Sequence, residues 1–402
     1  MYIKRTLEND IKELSNQFKV LLITGARQVG KSTLLKYCDQ NRNYVTLDDY
    51  KERSMALNEP DLFLQKHKPP LIIDEIQYAP NLLSYIKMTV DNSDKKGMYW
   101  LTGSQQFHMM KNVTESLAGR VAIIDLKGLS LKEIDNEKQI PFIPEKFYIE
   151  EMQKSHKTHD LNDIYKIIWQ GSYPELYSKE NLRWETFYKS YIRTYIERDI
   201  KDLNVIKNEM DFLKFLQVTA ARTGQMLNYN DIANEVGVAL TTIKSWISIL
   251  VSSNIVYLLQ PYFNNLNKRT VKTPKLYFLD TGLCSYLTGW DNPNILESGA
   301  MSGAIFETFV VGEIIKSYQH NGKAPNIYYY RDKDKKEIDV IIERNGKLYP
   351  IEIKKTGNPD KKMIKNFSVI PYERLGEGAL ICLVQDYLPI TENVNAIPVS
   401  YV

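Results

Sequence analysis

Largely apolar runs, separated by amphipathic stretches, mark the first third of the chain. They occupy residues 18–24, 44–48, 71–73, 98–101 and 121–124. The third run, Leu-Ile-Ile, is apolar throughout, which is typical of a parallel strand covered by helices on both faces. The pattern therefore predicts an α/β domain built on a parallel sheet with strands at these positions.

The pattern becomes helical further along the chain. Residues 135–150 are charged and contain prolines, which suggests a boundary or a hinge loop. Residues 161–203 have a helical and aromatic pattern that is interrupted at Gly171–Pro174. We predict four regions: an α/β domain at 1–135, a helical connector at 136–205, a helical module at 206–290 and a C-terminal α/β domain at 296–402.

Net charge, cysteine spacing and the length of the apolar runs restrict the cellular location and the binding partners that we expect. The 402 residues carry a formal net charge of only +3, so any nucleic-acid binding must rest on local basic patches. The three cysteines stand far apart, which argues for a reducing compartment rather than a disulfide framework. No run approaches the roughly 18 apolar residues of a membrane span. We expect a cytoplasmic protein that has no membrane partner.

A phosphate-binding loop follows the first apolar run. The motif G-x-x-x-x-G-K-[ST] lies between a predicted strand and a predicted helix, as this loop requires. Its glycines let backbone amides surround a phosphate, and the helix N-terminus favours negative charge. Lys31 is predicted to reach the β- and γ-phosphates, and the Ser32 hydroxyl to hold Mg²⁺. The predicted nucleotide-binding residues are Gly25, Ala26, Arg27, Gln28, Val29, Gly30, Lys31, Ser32 and Thr33.

Polar residues end the next predicted strands at the edge where ligands bind in open α/β sheets. Asp74 is placed to hold Mg²⁺ through water and Glu75 to activate the attacking water, although both could be solvated turn acids. Ser104 ends the fourth strand and is a candidate sensor of the γ-phosphate, or simply part of a polar turn. Arg120 precedes the fifth strand, where it either pairs with phosphate, including that of a neighbouring subunit, or forms a structural salt bridge.

These motifs resemble the core of AAA+ ATPases, and more closely a family of bacterial and archaeal AAA-type ATPases with an uncharacterised C-terminal region. The resemblance is carried by residues 25–33, 71–77, 101–105 and 116–120, and by later segments around 171–174 and 191–199. It implies Walker A and Walker B motifs, ATP as substrate, Mg²⁺ as cofactor, a helical lid and a homo-oligomer. The preference for ATP over GTP rests on this resemblance alone.

The region from residue 206 to 290 predicts three helices followed by a strand, an order that resembles a winged helix-turn-helix. Its third helix, residues 240–250, presents Thr241, Thr242, Lys244 and Ser245 on its exposed face. In DNA readers this helix enters the major groove, and basic residues 267–272 in the wing would add affinity. A single lysine is a weak electrostatic footprint, so a packing or subunit-contact module remains the competing interpretation.

A glutamate and a hairpin carry the candidate chemistry of the C-terminal domain. Glu307 falls in the middle of the apolar face of a predicted helix, where an unpaired charge is costly. Asn345-Gly346 predicts a two-residue hairpin loop, which places Asp339 directly opposite Glu352. Two opposed carboxylates repel, so a divalent cation, a shared proton or Lys354 on the same face must offset them. Ile338 and Val340 are expected on the opposite face.

This arrangement resembles the PD-(D/E)XK nuclease core, the α/β fold of restriction endonucleases. The resemblance implies that Asp339 and Glu352 are metal ligands, Glu307 an additional ligand, and Lys354 a water-polarising or charge-stabilising group. The proline of the motif is absent, because Ile338 precedes Asp339. An ordinary solvated hairpin face is the alternative.

Two functional hypotheses follow. The first is a Mg²⁺-dependent AAA+ ATPase coupled to a nuclease-like domain that acts on DNA or RNA. The second is a regulatory switch in which ATP controls an interaction surface and the C-terminal domain keeps the nuclease fold without cleaving. Loss of Asp339, Glu352 or Lys354 should abolish activity under the first hypothesis and be tolerated under the second.

Overall fold

The structure is a computed structural model that describes residues 2–103, 116–195, 208–262 and 273–402. Its N-terminal sheet has five parallel strands in the order β2-β3-β4-β1-β5. The strands are β1 Val20–Thr24, β2 Asn43–Thr46, β3 Leu71–Asp74, β4 Tyr99–Thr102 and β5 Val121–Asp125. The helices around them are α1 Glu8–Gln17, α2 Lys31–Cys38, α3 Tyr50–Asn58, α4 Pro60–Lys66 and α5 Leu82–Asp91. The predicted α/β domain with a parallel sheet is confirmed.

Both faces of this sheet are covered. Along β1, Leu21 and Ile23 pack into one apolar cluster, whereas Val20 and Leu22 pack into another on the opposite face. All five residues of β1 are buried, which explains why the strand is apolar rather than alternating. Because the strands are parallel, the C-terminal ends of β1, β3 and β4 share one edge of the sheet.

A helical connector follows β5. It comprises α6 Leu131–Ile134, α7 Lys146–Ser155, α8 Leu161–Gln170, α9 Glu175–Ser178 and α10 Trp184–Tyr195. The predicted boundary at 135–150 is therefore only partly loop, because α7 begins inside it. The predicted interruption at residue 171 is confirmed: Gly171 has φ +87°, and a Cβ there would lie 2.1 Å from the Tyr188 hydroxyl. Glycine is required at this position both by backbone conformation and by the close approach of α10.

The middle module has the predicted helices and a small antiparallel sheet in the order β6-β8-β7. Its elements are α11 Glu209–Ala220, β6 Gln225–Met226, α12 Tyr229–Val236, α13 Leu240–Ser252, β7 Val256–Leu259, β8 Lys275–Phe278 and α14 Thr281–Leu287. The chain bends by 108° between α12 and α13, within the range of helix-turn-helix pairs. The basic wing residues 267–272 lie outside the described residues, and the winged-helix interpretation stays a prediction.

Within the described ranges, no single helix has the length and apolar character needed to cross a membrane. The bent pair α12 and α13 passes that test only when its two helices are taken together, by length and composition alone.

The C-terminal domain combines one long helix with a mixed sheet of six strands in the order β13-β14-β12-β11-β10-β9. Its elements are α15 Pro293–Ser298, α16 Ser302–Gln319, β9 Ile327–Arg331, β10 Glu337–Arg344, β11 Lys347–Ile353, a 3₁₀ segment Lys361–Val369, β12 Gly378–Cys382, β13 Leu388–Thr391 and β14 Val394–Pro398. Strands β11, β12 and β14 run parallel, and the remaining pairs are antiparallel.

The hairpin of β10 and β11 has the predicted register. Arg344 pairs with Lys347 and Val340 with Ile351, so the same register places Asp339 opposite Glu352. One expectation was wrong: Ile338 packs into a different apolar cluster from Val340. The pairing of β10 with β9 shifts register between Ile338 and Ile341. Such an irregularity re-aims side chains locally, so simple alternation fails next to Asp339.

Candidate functional site

The loop after β1 has the backbone conformation of a phosphate-binding loop. Gly25 has φ +142°, and a Cβ there would lie 2.2 Å from the carbonyl oxygen of Leu126. Gly30 has φ +93° and directly precedes α2, which begins at Lys31. Glycine is therefore needed at both ends of the loop, at the first by close approach and at the second by left-handed backbone.

Lys31 folds back over this loop. Its ammonium donates to the carbonyl oxygens of Gly25 and Ala26, at 3.1 and 2.8 Å, and the residue is only 6% exposed. The lysine is thus held over the concave side of the loop, within reach of a phosphate seated there.

Asp74 collects the hydroxyls of three neighbouring elements. Ser32 donates to its Oδ1 at 2.6 Å and Tyr44 to its Oδ2 at 2.7 Å, and Thr102 also donates to Oδ1. Burial and the hydrogen bond to Asp74 raise the pKa of Tyr44. The predicted pair Ser32 and Asp74 is thus in direct contact, and these hard oxygen donors suit Mg²⁺.

Glu75 is held beside this cluster by a special backbone conformation. It has φ +59°, uncommon for a residue other than glycine. Its amide donates to Thr102 Oγ1 at 3.1 Å, and Gln77 donates to its carboxylate. Such strained positions are frequent at functional sites. Glu75 thereby points into the same cavity as the phosphate-binding loop.

One cavity of about 510 Å³ unites the loop, Glu75 and the helical connector. Its lining includes Arg27, Gln28, Gly30, Lys31, Ser32, Thr33 and Glu75 from the N-terminal domain. The N-terminal arm adds Tyr2, Ile3 and Arg5, and the connector adds Pro174, Glu175, Ser178, Lys179 and Thr194. Sequence patterns did not indicate the arm, because it carries no motif.

Two predicted residues lie away from this cavity. Ser104 falls outside the described residues. Arg120 lies before β5, at the sheet edge opposite the phosphate-binding loop, and binds Asp91 at the surface. Arg120 does not line the cavity of its own chain. It could therefore contact only a phosphate that is bound by a neighbouring subunit.

Comparisons with known proteins agree with this geometry. Residues 17–135 match the family model described as "AAA domain". These residues form a P-loop domain of the AAA type. Residues 161–294 and 302–402 match two models that are each described as a domain of unknown function, DUF8612 and DUF4143.

Similar proteins and structures extend over most of the chain. The uncharacterized protein Rv2008c of Mycobacterium tuberculosis is 27% identical over 387 residues, covering 95% of this chain and 80% of its own. The uncharacterized protein MJ1637 of Methanocaldococcus jannaschii is 24% identical, covering 98% and 85%. The structure of the Walker-type ATPase paby2304 of Pyrococcus abyssi has a TM-score of 0.40 and 16% identity, covering 71% of this chain and 96% of its own.

A buried ion network supports the phosphate-binding loop of the AAA-type domain from behind. Arg5 donates to the carbonyl oxygen of Val29 at 3.0 Å and to Glu133 Oε2 at 3.0 Å. The amide of Thr6 donates to the other oxygen of Glu133 at 2.8 Å. Burial would raise the pKa of Glu133, but the charge of Arg5, together with His320 and the hydrogen bonds from Thr6 and Arg5, keeps that pKa below its ordinary value. Arg5 therefore ties the loop to a buried carboxylate.

The same network reaches helix α16 of the C-terminal domain. His320 Nδ1 lies 3.3 Å from Glu133 Oε2, and burial lowers the pKa of His320 to about 3. Glu313 accepts from the amide of Leu131 at 2.9 Å and pairs with Lys316. The C-terminal domain is thus joined to the AAA-type domain through polar groups that are buried on both sides.

A second joint links the connector to the middle module. Asp280 accepts from the amide and hydroxyl of Ser172, at 2.6 and 2.7 Å, and from the Tyr188 hydroxyl at 2.7 Å. It also caps α14 by accepting from the Leu283 amide. Pro174, two residues beyond Ser172, lines the cavity that contains the phosphate-binding loop. The Gly171–Pro174 segment therefore connects the cavity to the middle module.

Glu307 of α16 has partners that sequence patterns did not identify. Its Oε1 accepts from the ammonium of Lys275 at 3.1 Å and from the Tyr277 hydroxyl at 2.6 Å. Both partners come from β8 of the middle module. Lys275 also contacts Glu337 at 2.6 Å and Asp339 at 3.9 Å, with only 4% of its side chain exposed. Burial and the nearby Asp339 raise the pKa of Glu307.

The hairpin carboxylates are partly neutralised by Lys354. Its ammonium lies 2.7 Å from Glu352 and 3.5 Å from Asp339, and the amide of Ile353 donates to Asp339 at 2.9 Å. Burial and the adjacent Asp339 raise the pKa of Glu352 to about 7. The structure thus links these groups through Asp339: Lys275 contacts Glu307 and Asp339, and Lys354 contacts Asp339 and Glu352.

Lys275 and Lys354 lie where a divalent cation would have to bind these carboxylates. Within the parts of the chain that the structure describes, no three His, Cys, Asp or Glu side chains are arranged to hold one metal ion. Lys275 contacts two of the three predicted ligands, and Lys354 contacts the third. Two ammonium groups therefore meet the charge that a metal would otherwise neutralise. With both ammonium groups in place, the cluster does not fit a metal ion. The metal roles of Glu307, Asp339 and Glu352 stay a prediction.

Surfaces predicted to meet nucleic acid are exposed. Thr241 and Lys244 lie on the open face of α13, with Thr242 and Ser245 half-buried beside them. Near the hairpin the exposed lysines are Lys333, Lys335, Lys336, Lys361, Lys362 and Lys365. Lys355, which follows Lys354 in the sequence, pairs with Glu297. DNA or RNA contact stays a prediction.

Proposed function

We propose that the protein is a Mg²⁺-dependent ATPase. The observation that carries the proposal is the single cavity that contains the phosphate-binding loop, Lys31, Ser32 and Glu75. Lys31 would move from its carbonyl partners to the β- and γ-phosphates, which offer it a stronger, charged acceptor. The match to the AAA domain model supports the same class.

The roles of the remaining groups follow from their positions. Ser32 and Asp74 would hold Mg²⁺, which neutralises phosphate charge when it is bound. Their direct hydrogen bond would then open, and Tyr44 and Thr102 would keep Asp74 oriented. Glu75 would accept a proton from the attacking water, with Gln77 fixing the carboxylate. Arg120 would act only across a subunit interface, in a homo-oligomer.

Replacing Glu75 by glutamine is expected to slow phosphate release by about 100-fold or more while leaving ATP binding within a few fold of the parent. The amide keeps the shape of the side chain but cannot accept the proton. Phosphate release and ATP binding would be measured on the same protein preparation. Glu59→Gln, at a nearby exposed glutamate, is the matched control. Unchanged turnover in Glu75→Gln would remove the catalytic role.

For the C-terminal domain we propose the switch rather than the nuclease. The contact of Lys275 with Glu307 favours it, because a charge-neutralised cluster needs no metal and offers no activated water. ATP turnover would act through the buried joints around Glu133 and Asp280 on the domains that follow. The hairpin register, which places Asp339 opposite Glu352, is the specific observation that keeps a nuclease as the second candidate.

A cleavage assay separates these two candidates. Single- and double-stranded DNA and RNA would be incubated with the full chain and Mg²⁺ or Mn²⁺, with and without ATP. The switch predicts no cleavage by the parent and none gained or lost in Asp339→Ala. Cleavage by the parent that disappears in Asp339→Ala would establish the nuclease. Lys96→Ala, at an exposed lysine of the N-terminal domain, controls for a change in surface charge.

A further inference from the structure

We propose that Lys275 is a built-in counter-ion through which the middle module closes the carboxylate cluster of the C-terminal domain to divalent cations. The proposal rests on the proposed switch function and names the residue that would regulate the cluster. Four carboxylates belong to the cluster: Glu307, Glu337, Asp339 and Glu352. None of the motifs in the sequence contains Lys275.

Lys275 lies where the middle module meets the C-terminal domain. Its ammonium contacts carboxylates from α16 and from β10, although the residue itself belongs to β8 of another module. Its ammonium lies 3.1 Å from Glu307 and 2.6 Å from Glu337, and only 4% of its side chain is exposed. The lysine therefore places a positive group inside a nearly closed site. A buried ammonium surrounded by carboxylates occupies the electrostatic place of a metal ion.

Several contacts hold β8 and its neighbour β7 against the C-terminal domain. Tyr262 donates its amide to the carbonyl oxygen of Tyr329 at 2.7 Å, and Tyr329 donates its hydroxyl to Thr273 at 2.5 Å. Arg374 donates to the Tyr262 hydroxyl at 2.7 Å. Tyr262 and Thr273 precede Lys275 in sequence, and Tyr277, which follows it, donates to Glu307. These contacts fix the strand that delivers the ammonium, so closure is a property of the docked middle module.

The other cations around the cluster also favour a site that is closed to divalent cations. Lys354 neutralises Glu352 and Asp339 from the hairpin side, and Arg331 pairs with Glu337 at 2.9 Å. Three cations thus face four carboxylates. One oxygen of Glu352 is buried without a hydrogen-bond partner. Removing Lys275 would leave Glu307, Asp339 and Glu352 with a single ammonium, a set that would favour a divalent cation.

The test is a Mn²⁺ titration of the nucleotide-free full chain, with free Mn²⁺ measured by electron paramagnetic resonance. The parent should show no binding that depends on Asp339. Lys275→Gln should gain one equivalent, bound at least about tenfold more tightly than by the parent, and Lys275→Gln/Asp339→Asn should lose it. Lys336→Gln, which removes the same charge from an exposed position, should behave as the parent.

Two results would overturn the proposal. One is Mn²⁺ bound by the parent and lost in Asp339→Asn, which would show an open site. The other is a folded Lys275→Gln variant that gains no Asp339-dependent Mn²⁺. If Lys275→Gln does not fold, the comparison of the parent with Asp339→Asn decides. Phosphate release by the same preparation is scored separately, so failure of the ATPase proposal is distinguishable from failure of this one.

Discussion

Replacing Lys31 by alanine is expected to abolish ATP binding and to lower phosphate release by about 100-fold or more. The Lys31 ammonium is the positive group of the loop that we expect to contact the β- and γ-phosphates. No other side chain that lines the cavity occupies that position. Removing one charged donor from a preorganised phosphate site costs about 10² to 10³ in rate. Binding of ATP would be measured by calorimetry and turnover by phosphate release.

The control for this prediction is Lys96→Ala, at an exposed lysine of the same domain. It changes the net charge equally and should leave both binding and turnover unchanged. Because Lys31 hydrogen-bonds to its own loop, folding of Lys31→Ala must be checked by its thermal unfolding. Wild-type turnover in a folded Lys31→Ala protein would contradict the assignment of the cavity.

Replacing Arg5 by methionine should give the largest loss of stability. Methionine keeps much of the side-chain length but leaves Glu133 charged, buried and without its main cation. Breaking a buried ion pair in this way typically costs about 3–5 kcal/mol. The free energy of unfolding would be followed in urea, with ATP binding as a second readout because Arg5 also donates to Val29 of the phosphate-binding loop.

A double variant separates the buried charge from general packing. Arg5→Met/Glu133→Gln removes the uncompensated carboxylate, so its loss should be clearly smaller than the sum of the two single losses. Arg183→Met, at an exposed arginine of the connector, should change stability little. Strict additivity of the two buried substitutions would show that Arg5 and Glu133 do not act as a pair.

The N-terminal sheet was predictable because its signals are local. Most of its strands are largely apolar runs, and the phosphate-binding loop needs glycines whose positions follow from backbone geometry. The hairpin register could be predicted for the same reason, since Asn345-Gly346 fixes the turn. Ile338 was assigned to the wrong face because a register shift against a third strand is not encoded in the alternation of the hairpin itself.

The candidate sites were only partly predictable. Lys31, Ser32 and Glu75 were placed by motif, and the structure brings them into one cavity. Tyr44 and Arg5 were missed, since each reaches its partner from a segment without a motif. Lys275 was missed for a stronger reason. It contacts Glu307 across the boundary between two modules, and the two residues are 32 positions apart in sequence. A buried glutamate in an apolar helix face signals that a partner exists, but not which residue it is.

ATP hydrolysis in this cavity is tested most directly by comparing three proteins in one experiment: the parent, Lys31→Ala and Glu75→Gln. ATP binding and phosphate release would be measured side by side, with Mg²⁺ present or removed by chelation. We expect binding and Mg²⁺-dependent release by the parent, neither by Lys31→Ala, and binding with little release by Glu75→Gln. Equal phosphate release by all three proteins would contradict the claim that this cavity hydrolyses ATP.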